Sequence, residues 1–252
     1  MRFSLLGPFE IVTDDGFSHE PGPPKAAQTL ALFATQPGSV VGSDTLIREL
    51  WQRDPPRSAL ATAQTYVHHV RRQLRALPAD GLERPVLTTQ ASGYVLRIDE
   101  RAIDVSGMES LVRQADAELR QGRVERAGGL LKQALTMRRG PLVSNLKVGP
   151  VLAGLRMRLE ELYLQAQEMN VEVMIRSGRH RAAVVELRAL VHQHPLHESF
   201  HGRLITALFH CGRRTEALTA YRTLKRTLMD ELGLDPLPSI QRLIRAAAED
   251  MD

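Results

Sequence analysis

Apolar residues recur along this chain with two different periods, and the change from one to the other divides it. Residues 1 to about 20, MRFSLLGPFEIVTDDGFSHE, alternate apolar and polar groups between the turn signals Gly7-Pro8 and Asp14-Asp15-Gly16, which predicts two or three short strands. A helix is predicted from about Pro24 to Gln36, opening on a proline suited to a first helical turn and stopping at Pro37-Gly38. Ser43 then reads as the cap of a short helix through Leu50 and Trp51, with its side-chain oxygen taking orphan amides and Trp51 plugging the junction to the next helix. Asp54-Pro55-Pro56-Arg57 makes a turn. From Ser58 to Leu77, the residues Leu60, Ala63, Val67, Val70, Leu74 and Leu77 recur at steps of three and four, on one stripe of an amphipathic helix. A loop is expected from Pro78 to Pro85, and Val86 to Ile98, VLTTQASGYVLRI, reads as a hairpin pivoting near Ala91 to Gly93. Three helices followed by a hairpin, with the third helix basic, is the order of a winged helix-turn-helix.

Beyond residue 103 the strand pattern vanishes and the periodicity is helical throughout. Gly178-Arg179 and Gly212-Arg213 lie 34 residues apart, the period of a tetratricopeptide unit. Five residues beyond each glycine stands Ala183 or Ala217, and nine beyond stands Leu187 or Tyr221: a small residue for a helix crossing, then a larger knob one turn on. Gly122-Arg123 begins the same series with Ala127, Leu131 and Ala134, but about 22 residues in excess of the period separate it from Gly178. The segment Arg139 to Gly154 is the natural place for that insertion. The predicted fold is therefore mainly α with a small β component: a winged helix-turn-helix over residues 1–98, then a tetratricopeptide-like α-helical repeat domain over 104–252.

Composition narrows the function. With 43% hydrophobic and 25% charged residues the chain is a soluble globular protein, and 252 residues suffice for two ordinary domains. The formal charge is only +4, so any contact with nucleic acid has to come from a local patch. A single cysteine, Cys211, excludes an internal disulfide framework and fits a reducing compartment, its expected role being packing inside a helix pair. The start of the chain reads as no secretory signal and no later segment reads as a membrane span, so the expectation is a cytoplasmic, nucleoid-associated protein.

The patch is at hand in the third predicted helix. Opposite its apolar stripe stand Thr62, Gln64, Thr65, His68, His69, Arg71, Arg72 and Arg75, and no carboxylate occurs from Arg57 through Ala79. Guanidiniums suit phosphates and guanine edges, while amides, hydroxyls and neutral imidazoles suit other base edges. Other chemistries find little support. His192, His194, His197 and His201 cluster, but no carboxylate or cysteine completes a metal set and Pro195 interrupts them. No phosphate-binding glycine loop, GxSxG elbow or HExxH pair occurs, so no enzyme, metal or cofactor is expected.

Several segments carry a resemblance: LLGPFEI, LIRELW, PPRSALATAQTYVHHVRRQL and GYVL in front, ALTMRRGPL, GRRTEALTAYR and DELGLDP behind. Together they resemble the Streptomyces antibiotic regulatory protein (SARP) family of transcriptional activators over essentially the whole chain. The resemblance implies an OmpR-like winged helix joined to a bacterial transcriptional activation domain. It further implies binding to direct repeats in double-stranded DNA, as a homodimer or side-by-side pair, and recruitment of RNA polymerase through its sigma factor. The expected target is a secondary-metabolite (antibiotic) gene cluster. On the YVHHVRR motif, Arg71 becomes the leading base or phosphate reader, with Arg72 and Arg75 nearer the DNA backbone. In the wing, Thr88 is expected to bond a phosphate and Gln90 to approach the minor groove. Two departures stand out: histidines at His68 and His69 and glutamine at Gln90 where relatives often carry arginine, and Met137-Arg138 where relatives commonly have an apolar residue and tryptophan. The competing reading is a helical-repeat adaptor whose winged helix mediates protein contacts.

Overall fold

The computed structural model describes residues 1–77 and 84–249, so most of the loop expected over Pro78 to Pro85 lies outside the described residues. Two compact units emerge, Met1–Arg113 with Gln133–Leu164, and Gln114–Lys132 with Gln165–Asp252.

The first unit opens on an antiparallel meander of β1 (Arg2–Ser4), β2 (Glu10–Val12) and β3 (Ser18–His19), with Phe3 opposite Ile11. Phe3, Leu5, Phe9 and Ile11 are fully buried, which fixes the register, since a slip of one residue would turn them to the other face. Helix α1 (Pro24–Ala34) starts at its proline and is buried along Ala26–Ala34, packing against α3 (Ala59–Ala76). Between them lies α2 (Ser43–Trp51). Its cap is Gly42, and no side chain bonds the first amides, so the expected capping role of Ser43 does not hold: Ser43 is already the first helical residue. Gly42 is committed to β4 (Val41–Gly42), a strand too short to leave a period in the sequence. It pairs with β6 (Gly93–Arg97), which in turn pairs with β5 (Val86–Gln90), giving the order β4-β6-β5.

The stripe of α3 differs from expectation at its start. Ala59, Ala63, Val67, Val70 and Leu74 are buried, whereas Leu60 is 50% exposed. Leu60 and Ala59 both stand at a spacing compatible with Ala63, and the structure buries the smaller one. Trp51 is only half-buried, its ring 6.2 Å from that of Tyr66 on α3, so it lies against the junction rather than plugging it.

Residues 137–149 carry no helix, and α6 (Pro150–Arg176) follows, so Gly154 of the expected insertion is helical. This segment holds the first strands through their backbone. The amides of Arg139, Val143 and Ser144 donate to the carbonyls of Leu6, Leu5 and Gly7, and Asn145 both accepts from and donates to the backbone of Phe9. Asp104, which opens α4 (Asp104–Arg120), accepts the amides of Leu5 and Leu6 at 2.8 and 2.9 Å. Arg138 lays its guanidinium 4.2 Å from the Tyr163 ring centre and bonds Glu160 at 2.8 Å.

In the second unit the glycine series becomes geometry. Gly122, Gly178 and Gly212 have φ of 73°, 69° and 72°, the left-handed region where glycine carries no Cβ penalty. After each, the arginine amide donates five residues back: Arg123 to Glu118, Arg179 to Met174 and Arg213 to Leu208, at 2.9, 2.8 and 2.9 Å. This is the Schellman closure, and it opens α5 (Val124–Thr136), α7 (His180–Gln193) and α9 (Arg214–Leu232) in turn. Ala127, Ala183 and Ala217 are fully buried. Helix α8 (Glu198–His210) packs on α7 and α9, and α10 (Pro238–Glu249) packs on α8. Cys211 is the half-buried C-cap of α8 and not a residue inside the pair.

Candidate nucleic-acid interface

The face of α3 turned away from its buried stripe changes character along its length. In the first two turns the exposed residues are Leu60, Ala61, Gln64 and Thr65, none of them charged. In the second half His68, Arg72 and Arg75 are exposed. Thr62 is half-buried with its hydroxyl 3.4 Å from that of Ser58, and the Thr65 hydroxyl turns back to the Ala61 carbonyl at 3.1 Å. His69 is half-buried on the edge of the face.

Arg71 has a different place from Arg72 and Arg75. Its guanidinium donates from Nε to the Leu87 carbonyl at 2.8 Å and from a terminal nitrogen to the Thr89 hydroxyl at 2.6 Å. The guanidinium carbon sits 5.9 Å from the Tyr94 ring centre, so the group is held between α3 and both strands of the hairpin. Two of its five donors are thereby committed, and the hairpin is tethered to the helix. Thr89, not singled out in the sequence, supplies that tether. Thr88 is half-buried, with its hydroxyl 3.4 Å from the Val95 carbonyl, while Gln90 is exposed at the strand end.

Among the described residues the arginines exposed on this face, Arg72 and Arg75, meet no carboxylate. Several arginines of the rest of the chain, Arg123, Arg138, Arg139, Arg176, Arg188, Arg203 and Arg213, each meet one. An exposed helix face with guanidiniums at one end, uncharged groups at the other and a β-hairpin beside it can contact a phosphate backbone and base edges together.

Two family models match the chain. The model described as transcriptional regulatory protein, C terminal, covers residues 21–96, and the model described as bacterial transcriptional activator domain covers 103–247. Regulatory protein DnrI of Streptomyces peucetius is 36% identical over 98% of this chain and 91% of its own length. The chain belongs to the SARP family. This SARP is also similar to regulatory protein AfsR of Streptomyces coelicolor, at 34% identity over 96% of the chain but only 24% of AfsR. A solved structure of Mycobacterium tuberculosis EmbR, in complex with a low-affinity phosphopeptide, superposes with a TM-score of 0.89 at 32% identity, covering 99% of this chain and 65% of EmbR. The SARP is thus a transcriptional regulator with a DNA-binding winged helix and a helical activator domain. Among the described residues no helix is long and apolar enough to cross a membrane.

The histidines singled out earlier have structural surroundings. His197 stacks on Phe200 with ring centres 4.3 Å apart, and buried His201 bonds the Pro195 carbonyl through Nε2 at 3.0 Å.

Proposed function

We propose that this SARP is a sequence-specific activator that binds direct repeats near a promoter as a side-by-side pair and recruits RNA polymerase, through its sigma factor, to a secondary-metabolite gene cluster. The observation that carries the DNA half is the basic face of α3, without an ion pair among the described residues, beside a hairpin tethered by Arg71. Gln64, Thr65 and His68 would read base edges. Arg72 and Arg75 would take phosphates, joined by Thr62 and His69 at the margin and by Thr88 from the wing, while Gln90 would approach the minor groove. Arg71 would hold the two recognition elements in register, with its remaining donors free for a phosphate. Residues 1–98 would locate the promoter and 104–252 would present the activating surface. Such work places the protein at the nucleoid, in the cytoplasm. Kinship with regulatory protein DnrI and with transcriptional regulator RedD of Streptomyces coelicolor supports the regulatory role, and membership of the SARP family supports the choice of target.

Transcription with purified RNA polymerase holoenzyme on promoters neighbouring the gene tests the activating half. Full-length protein is expected to raise transcript from a template with intact direct repeats and not from one whose spacing is shifted by half a helical turn. Specific binding without any rise in transcript would overturn recruitment.

A further inference from the structure

Leu60 was expected in the core, and the fold turns it outward, 50% exposed in the first turn of α3. A single exposed leucine is ordinary on a protein surface. This one stands at the head of a row, Leu60, Gln64 and His68, spaced four residues apart and all exposed. Of the residues in the first helical turn only Leu60 and Ala61 are exposed, beside a half-buried Thr62 whose hydroxyl faces that of Ser58, so the exposed part of this turn is apolar where the last turns expose arginine. In helix-turn-helix proteins the N-terminal residues of the recognition helix approach base edges in the major groove. The one apolar group displayed there is the C5-methyl of thymine, and the side chain suited to its partner's N6 and N7 is an amide.

From this arrangement we infer that Leu60, with Ala61, is a specificity-determining contact that reads thymine methyl groups, next to an adenine read by Gln64. The inference rests on the DNA-binding function proposed above and names what one part of that face recognises. Such a contact explains why an aliphatic side chain is kept in water on the free protein. It takes up a methyl group on binding and rejects cytosine, which presents none in that position.

The test uses the full chain and its footprinted operator, with each thymine of a repeat replaced in turn by deoxyuridine. That change removes one methyl and leaves every hydrogen-bonding group in place. One or two positions are expected to weaken wild-type binding about fourfold each, the effect of losing one buried methyl group. Leu60→Ser, at an exposed position, is expected to bind the unmodified operator more weakly by a similar factor and to be indifferent to deoxyuridine at those positions. A circular dichroism melt matching wild type confirms that the variant is folded. A wild-type protein insensitive to every replacement overturns the inference and leaves DNA binding intact, as does a Leu60→Ser variant that keeps the full sensitivity. Absence of any protected operator overturns both readings.

Discussion

The carboxylate of Glu49, near the end of α2, accepts the amide of Gly149 at 2.6 Å, one hundred residues further along the chain. Glu49 is fully buried, and its other oxygen takes the amides of Val151 and Leu152 at 2.8 and 3.3 Å, so a side chain from the helix-turn-helix caps α6. A Cβ on Gly149 would fall 2.0 Å from the Glu49 carbonyl oxygen, which leaves glycine as the residue that fits there. Glu49→Ala would strand buried amides and is expected to cost about 2 to 4 kcal/mol in urea unfolding, with Glu49→Gln costing less because one acceptor remains. A change below about 0.5 kcal/mol would mean that the cap adds nothing over water.

The same contacts bear on fragments. A chain ending near residue 105 lacks Asn145, the capped end of α6 and the amides that hold Leu5, Leu6 and Gly7. It is expected to melt well below a fragment reaching residue 164, and equal melting temperatures would refute the structural role of 139–152.

Arg71 is tethered to the hairpin, so Arg71→Ala is expected to loosen the wing and weaken operator and unrelated DNA by similar factors, on the order of tenfold. Competition binding on the two DNAs measures this. A loss confined to the operator would make Arg71 a base reader instead.

Arg72 and Arg75 are exposed and free of carboxylates among the described residues. If each meets a phosphate, Arg72→Ala and Arg75→Ala should each lower the slope of log affinity against log salt by about 0.9. An unchanged slope would remove them from the backbone contacts.

Burial holds the His201 imidazole below its ordinary value, more strongly than the Pro195 carbonyl and Glu198 raise it; neighbouring His197 also lowers it. The unfolded chain, with an imidazole near pKa 6.5, therefore takes the proton first on acidification. Stability from this group is complete above about pH 6.5 and is lost as the pH falls through the lower folded value. Thermal melts between pH 7.5 and 5 should show that decline, and His201→Gln should flatten it. An identical decline in the variant would assign it to other groups.

Much of this architecture was legible in the sequence for identifiable reasons. The spacing of Gly122, Gly178 and Gly212 records a backbone requirement, and the alternation of VLTTQASGYVLRI records a sheet with one buried face. Strand β4 was not legible because two residues carry no period. Leu60 was misplaced because a spacing of three or four admits two neighbouring registers at a helix start, and tertiary packing chose Ala59. The role of Glu49 was hidden for a different cause: a carboxylate amid LIRELW reads as a solvated helix residue, and its partners lie a hundred positions away. Arg71 was visible as an arginine on the right face, but the hairpin that engages it only meets α3 in three dimensions.

Every DNA-binding role proposed above depends on the exposed face of α3. Footprinting of the full-length protein on promoters neighbouring its gene, beside an Arg72→Ala/Arg75→Ala variant, tests that dependence most directly. Wild-type protein is expected to protect a pair of direct repeats, and the variant to need a much higher concentration for the same protection. Salt-sensitive binding with no protected pair, or protection unchanged in the variant, would contradict it.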